Sequence, residues 1–323
     1  MKIIDDDRAG QQLGRYRLIR LLGRGMHSEV YLGERVDLHD PVAIKILSGS
    51  LVKNEVKKFL LHASTLAQLK HASIIHVVDF GLAGTLPFLV MEYAAHGNLR
   101  QRHPKGSRVP LETVVSYVQQ IANALDYVHK HRLIHRDIKP SNMLLGADNS
   151  VMLSDFGIVV ASSSLDALHA EDFEGTVAYA APEQLQGRPR RSSDQYALGV
   201  VVYEWLTGAW PFRGTFAEVA QQHLLAPPPG LHEKNAAISL DVEKVVLKAL
   251  AKDPSKRFTT VQQFATALDR LVPSQKQAPL SPKRQFISPF PFEPLPVGES
   301  PFASESAIDI LTRLANGSLR GYP

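Results

Sequence analysis

The chain has 323 residues, 44% hydrophobic and 21% charged, with 36 basic against 32 acidic side chains and a formal net charge of +4. That is enough apolar material for one large domain or two small ones, and too slight a basic excess to mark a nucleic-acid-binding surface. The lack of cysteine excludes disulfides, thiol catalysis and cysteine-ligated zinc. No apolar run reaches the ~18–20 residues of a membrane-spanning helix, and the opening MKIIDDDRAG carries acids where a signal peptide would be apolar. A cytoplasmic protein is expected, without a membrane span and without a nucleic-acid partner.

In chain order, residues 1–15 read as a loose polar extension. From Tyr16 onward, YRLIRLLG, EVYLGERV and PVAIKIL are short runs rich in β-branched and aliphatic residues, separated by Gly-rich or polar links. This is the pattern of an antiparallel meander. Val52, Val56, Phe59, Ala63 and Leu66 recur at helical spacing and predict a helix over 52–69. IIHVVDFG and LPFLVMEY then read as two further strands. After Tyr93 the pattern becomes helical. Val114, Val118, Ile121, Leu125 and Val128 form one apolar stripe, and helical patterns recur over 192–207, 215–225, 239–251 and 259–271. Residues 273–323 open with a run too rich in proline for helix or central strand. They are expected to be a disordered tail, with a short helix near 305–316.

Three sets of residues carry chemistry. Leu22-Gly23-Arg24-Gly25-Met26-His27-Ser28-Glu29-Val30 lies between two strand-like runs. Glycines let a backbone approach phosphate oxygens, although a G-x-G in a hairpin also reads simply as a turn, and Ser28 occupies the third glycine position. The strand EVYLGERV that follows argues against a dinucleotide fold, which would place a helix there. Lys45, in Val42-Ala43-Ile44-Lys45, is a lone cation on an otherwise apolar strand. Finally, Ile134-His135-Arg136-Asp137-Ile138-Lys139-Pro140-Ser141-Asn142 is followed by Asp155-Phe156-Gly157 and then by Gly175-Thr176-Val177-Ala178-Tyr179-Ala180-Ala181-Pro182-Glu183. Each tripeptide alone is uninformative, but their order and spacing together are specific.

With these motifs the chain, from about Tyr16 to Leu271, resembles the bacterial branch of the eukaryotic-like (Hanks-type) serine/threonine protein kinases. The resemblance implies an α+β, bilobal fold: a small antiparallel β-rich lobe with one helix over 16–92, a larger mainly helical lobe over 93–272, and the tail from 273. It implies transfer of the γ-phosphate of ATP to protein Ser or Thr hydroxyls, with magnesium (or manganese) as the metal. Asp137 would orient the substrate hydroxyl and accept its proton, and Lys139 would offset charge at the γ-phosphate. Asn142 and Asp155 would ligate the metal. Lys45 would contact the α- and β-phosphates beneath Gly23, Gly25 and Ser28. Leu22, Val30 and Ala43 would sandwich the adenine, with Met91 behind it and Glu92, Tyr93 and Ala94 as the hinge. His135, stacked with Phe156 and Leu66, together with the Glu183–Arg257 pair and Asp194, would be scaffold.

One position departs from this family pattern. Where such kinases carry a glutamate on the helix after the lysine strand, Phe59-Leu60-Leu61-His62-Ala63 has His62, and no acid occurs between Glu55 and Asp79. Lys45 is therefore expected to lack its usual partner, which leaves a nucleotide-binding pseudokinase scaffold as the alternative reading. Arg136 beside Asp137 implies control by phosphorylation of the segment bearing Ser162, Ser163, Ser164 and Thr176, although Glu171, Asp172 and Glu174 would supply fixed negative charge there. A dimer for trans-autophosphorylation and a partner docking on the tail around Phe290, Phe292 and Phe302 complete the expectations.

Overall fold

The computed structural model describes residues 8–25, 28–49, 53–156 and 177–272. The first layer is a six-stranded antiparallel sheet, in spatial order β1-β2-β3-β4-β6-β5. Its strands are β1 (Gln12–Leu13), β2 (Tyr16–Gly25), β3 (Ser28–Arg35), β4 (Pro41–Leu47), β5 (Val77–Ala83) and β6 (Leu86–Glu92). Alternation along β4 sends its side chains to opposite faces. Val42, Ile44 and Ile46 join Tyr16, Leu18, Tyr31, Phe88 and Val90 in a core on the outer face of the sheet. Ala43 and Leu47 pack instead against the main core below, and Lys45 shares their face.

A single helix, α1 (Lys53–Ala67), crosses this sheet and buries Phe59, Leu60, Ala63 and Leu66, close to the expected span. Two expectations are corrected. Residues 12–13 are not loose: β1 pairs with Tyr16 and Arg17 of β2, and Leu13 is buried. The run IIHVVDFG is only partly strand. Ile74 instead bridges Leu153 in parallel, and the Ile75 amide donates to the Leu153 carbonyl at 2.9 Å. These two residues tie the small lobe to the large one.

The large lobe is helical: α2 (Leu99–Arg102), α3 (Leu111–Lys130), α4 (Pro182–Leu185), α5 (Arg191–Thr207), α6 (Phe216–Leu225), α7 (Leu231–Lys234), α8 (Leu240–Ala249) and α9 (Val261–Asp269). The stripe on α3 is fully buried, as its periodicity requires. By contrast α5 is buried all round, the sign of a central helix. Gly199 lets α8 approach it, since a Cβ there would meet Leu250 Cδ2 at 3.1 Å and Ala249 Cβ at 3.2 Å. Between α3 and α4 a short hairpin, β7 (Met143–Leu145) with β8 (Val151–Leu153), lies on the lobe face toward the sheet. No helix among the described residues is long and apolar enough to cross a membrane.

Gly33 of β3 marks a backbone contact that fixes the sheet. A Cβ there would lie 2.9 Å from the Arg17 carbonyl oxygen and 2.4 Å from Ile44 Cδ1. Gly33→Ala is therefore expected to lower stability by about 1–3 kcal/mol, the usual cost of overpacking. Denaturant melts of the two proteins check this, and equal midpoints would refute it.

Candidate functional site

The residues singled out by the sequence converge where the two lobes meet. β4 contributes Lys45, and the β7–β8 hairpin is flanked by Asn142 before it and Asp155 after it. Lys45 Nζ lies 2.7 Å from Asp155 Oδ1. Burial alone would raise the Asp155 carboxyl, but Lys45, and beyond it Lys139, outweigh this and hold it below the usual carboxylate range. Lys45 thus has an anionic partner in Asp155, although not the helix carboxylate that the family pattern supplies. His62 is not that partner. Its Nε2 is buried without a hydrogen bond among the described residues. Burial, reinforced by Arg136, pushes its pKa below 6.5, so it is neutral near pH 7.

A second cluster surrounds Asp137. Lys139 Nζ lies 2.9 Å from Asp137 Oδ2. Asn142 Nδ2 donates to the same oxygen and to the Asp137 carbonyl, both at 2.8 Å. This orientation leaves Asn142 Oδ1 without a hydrogen bond among the described residues. Oδ1 and the Asp155 carboxylate are hard oxygen donors, and such a donor set fits magnesium, which keeps waters and phosphate oxygens in its remaining positions.

The loop carrying Asp137 is held from below. His135 and Arg136 donate their amides to Asp194 Oδ2 and Oδ1 at 3.0 and 2.9 Å, and His129 Nε2 donates to Oδ2 at 2.7 Å. Arg136 has φ +68° and Asp155 φ +59°, left-handed values that a non-glycine residue keeps only when its surroundings impose them. His135 Nε2 donates to the Ser154 carbonyl at 2.9 Å while Nδ1 accepts the Asp137 amide at 3.3 Å. Burial lowers its pKa although Asp194 and Asp137 oppose this. A neutral ring 4.6 Å from Phe156 suits packing rather than proton transfer. Phe156 and Leu66 line one narrow cavity with Lys45, Leu89, Met91 and Asp155.

The roof is formed by β2 and β3. Strand register aligns Gly23 with Val30, Gly25 with Ser28, Val30 with Lys45, and Ala43 with Met91. A bulge between Leu21 and Gly23 leaves Leu22 unpaired and 37% exposed. A Cβ on Gly23 would meet nothing within 4 Å, and one on Gly25 only Ser28, at 3.5 Å. Neither glycine has positive φ. Among the described residues, sterics do not require glycine at either place. Beyond Met91, the Glu92 amide donates to the His76 carbonyl at 3.0 Å, and Ala94 packs on the main core.

Sequence reasoning missed several supports. Arg100 makes two bonds to Glu204, at 2.7 and 2.9 Å, and Tyr179 donates to the same carboxylate. Gln184 Nε2 donates to the Arg136 carbonyl at 2.8 Å. A signal was present: Glu204, like Asp194, is an isolated acid in the largely apolar helix SSDQYALGVVVYEWL, and such an acid needs a buried partner. The expected Glu183–Arg257 pair is bidentate, at 2.7 and 2.8 Å, and Ser193 Oγ donates to it at 2.7 Å. The expectations for Gly157, for residues 162–176 and for the tail from 273 lie outside the described residues.

Glu183 supports two measurements. Burial would raise its carboxyl, but the bonds from Arg257 and Ser193 outweigh this and hold it below the ordinary 4.5. The unfolded chain therefore takes up this proton first as pH falls, so the contribution is complete above pH 4.5 and is lost as pH drops toward the folded value. Glu183→Gln strands Arg257 and is expected to cost about 3–5 kcal/mol. Its melting temperature should then fall less between pH 5 and 3 than that of the parent, roughly one carboxyl's worth of linkage. Parallel acid-dependence curves would contradict the assignment.

The family model described as "Protein kinase domain" matches residues 16–268. The chain is 34% identical over 255 residues to "Serine/threonine-protein kinase PrkC" of Bacillus subtilis, covering 78% of this chain and 39% of that protein. It is 37% identical over 278 residues to "Serine/threonine-protein kinase PknB" of Mycobacterium leprae, covering 83% and 44%. For "Probable serine/threonine-protein kinase PknB" of Lactococcus lactis the figures are 34% over 267 residues, covering 79% and 43%. The chain thus spans about two-fifths of the length of the curated relatives it matches. With the lobes, the cleft and the match over 16–268 in agreement, the chain belongs to the protein kinase domain family.

Proposed function

We propose that this chain is a serine/threonine protein kinase that transfers the γ-phosphate of ATP to protein hydroxyls, in the cytoplasm, where nucleotide and magnesium are supplied. One observation carries the reading: Asp137, Lys139 and Asn142 form one hydrogen-bonded cluster while Lys45 pairs with Asp155 across the cleft. Phosphoryl transfer passes through a loose transition state, so it demands positioning and charge neutralisation more than covalent help. Asp137 orients the substrate hydroxyl and takes its proton as the new O–P bond forms and the β–γ bridge to the departing ADP breaks. Lys139 offsets charge on the moving phosphoryl group. Lys45 binds the α- and β-phosphates, with Gly23, Gly25 and Ser28 above them. Leu22, Val30 and Ala43 enclose the adenine against Met91, and Glu92 and Ala94 offer hinge backbone. Asn142 and Asp155 would hold magnesium, which when bound screens phosphate charge and orients the oxygens.

This reading takes 16–92 and 93–272 as the two lobes of the domain. Trans-autophosphorylation in a dimer and docking on the tail belong to it as well, although they involve residues outside those described. The alternative of a non-catalytic nucleotide-binding scaffold rests on His62. The Lys45–Asp155 pair weakens it, since Lys45 is oriented without a carboxylate from α1.

Asp137→Asn is expected to lower turnover ~10²–10⁴-fold, the range for losing a general base, while nucleotide binding changes little. Single-turnover transfer from labelled ATP, with nucleotide affinity measured separately, checks this. A variant retaining more than about a tenth of the parent rate would remove Asp137 from the role. His62→Glu tests the departure from the family. A carboxylate there would draw Lys45 away from Asp155 and free the latter for metal. A charge-assisted hydrogen bond of about 1.5–3 kcal/mol corresponds to roughly ten- to a hundredfold in kcat/KM for ATP, less the cost of desolvating the new acid. Because burial and Arg136 lower the His62 pKa, any loss of parent activity through its protonation should begin at a lower pH than an ordinary histidine would give, which a pH profile of the two proteins checks. Equal kcat/KM for the two proteins would mean that Asp155 already suffices to aim Lys45.

A further inference from the structure

Residues 177–183 form a shelf between the cleft and α6. Its far end is held by the Glu183–Arg257 pair. Its near end, Val177 and Ala178, borders a cavity of about 430 Å³ with Lys105, Trp210, Phe212 and Arg213. Val177 packs in a small apolar cluster with Phe212 and Val219, while Ala178 and Tyr179 join the main core. Apolar packing holds these side chains but does not by itself orient the Ala178 carbonyl.

The Tyr179 hydroxyl is bonded to Glu204, Arg100 and Trp210, and the Ala178 carbonyl is bonded from α6. His223 is fully buried. Its Nε2 lies 3.1 Å from the Ala178 carbonyl oxygen and its Nδ1 2.9 Å from Tyr196 Oη. A carbonyl only accepts, so Nε2 carries the proton, and Nδ1 accepts from the Tyr196 hydroxyl. This is one defined neutral tautomer. Burial, reinforced by Lys252, pushes the His223 pKa down to about 3, so the tautomer persists throughout the working pH range. The ring is wedged at 78° against Phe212, with centroids 4.8 Å apart. Lys252 Nζ donates to the carbonyls of Gln222 and His223 at 2.9 and 2.8 Å, tying down the last turn of α6, which carries the imidazole. Tyr196 is shared by both ends of the shelf: His223 bonds its hydroxyl, and the Arg257 guanidinium lies 4.8 Å above its ring.

We infer that His223 is a positioning residue for protein-substrate docking: by donating Nε2–H to the Ala178 carbonyl it fixes the near end of the shelf against which an acceptor peptide lies. The inference rests on the reading of the chain as a protein kinase. It assigns His223 no contact with nucleotide or with the reacting atoms. Loss of this bond loosens the shelf while the cleft stays intact, so binding of the protein substrate falls and nucleotide binding does not.

The test compares His223→Leu, which fills the site without a donor, with His223→Gln, whose amide N–H can reach the position of Nε2. Three quantities are read: amide exchange over 177–183, KM for a protein acceptor against kcat at saturating acceptor, and affinity for a fluorescent nucleotide. In His223→Leu, shelf exchange should quicken and acceptor KM should rise roughly three- to tenfold, the value of one neutral hydrogen bond. Saturating kcat and nucleotide affinity should stay within about twofold, and His223→Gln should recover most of the loss. If His223→Leu does not fold, His223→Gln against His223→Asn makes the same comparison, because the asparagine amide reaches only toward the Nδ1 position. Unchanged shelf exchange in the variant lacking the donor, or an equal fall in nucleotide affinity, overturns the inference. Quickened exchange in a protein that phosphorylates no protein acceptor even as wild type instead overturns the kinase reading and leaves the His223–Ala178 restraint standing.

Discussion

The carboxylate of Asp194 is the fixture on which the loop bearing Asp137 depends. It is 1% exposed on a helix that is apolar nearly throughout, where an unpaired charge would be prohibitively expensive. Two backbone amides and the His129 ring satisfy it. Those amides belong to His135 and to Arg136 itself, whose left-handed backbone is otherwise unfavourable. The same interaction thus offsets the burial of the acid and the strain of the turn. Asp137 projects from that turn, so its direction is set by a helix that touches no reactant.

Above this fixture, the electrostatics of the cleft are nearly balanced before any ligand arrives. Lys45 faces Asp155 and Lys139 faces Asp137, so each catalytic-type acid already has a cation within hydrogen-bond reach. In a partly water-excluded cleft such pairs are pre-organised dipoles, and under the proposed reading phosphates and metal would exchange partners with them rather than create order from scratch. Burial and Arg136 both disfavour a charge on His62, so it adds little to this balance.

Much of this was legible in the sequence because the chemistry requires particular residue types at nearly contiguous positions. His135 to Asn142 and Asp155-Phe156 are written out in order, and the α3 stripe follows directly from its spacing. Other parts have no local signature. The edge strand at Gln12–Leu13 is too short for any periodicity, and only the burial of Leu13 reveals it. Ile74 and Ile75 look like strand because a short apolar run reads the same whether it joins a sheet or bridges to a hairpin. The Arg100–Glu204 pair and the bond from His223 to Ala178 join residues 104 and 45 positions apart. Such pairings emerge only from the packing of helices whose mutual angles the sequence does not state.

The span closed by Asp194 also bears on how the protein is made. Its partner amides at His135 and Arg136 precede it by 59 and 58 residues. At the ~5–20 residues per second of ribosomal synthesis, the loop bearing Asp137 waits about 3–12 s before its carboxylate is even polymerised. Arg257, which secures the segment leading into α5 through Glu183, is added later still. A nascent or truncated chain therefore holds the first sheet without a fixed Asp137 loop. Under the proposed kinase reading, competence for phosphoryl transfer would arrive only with completion of the second lobe.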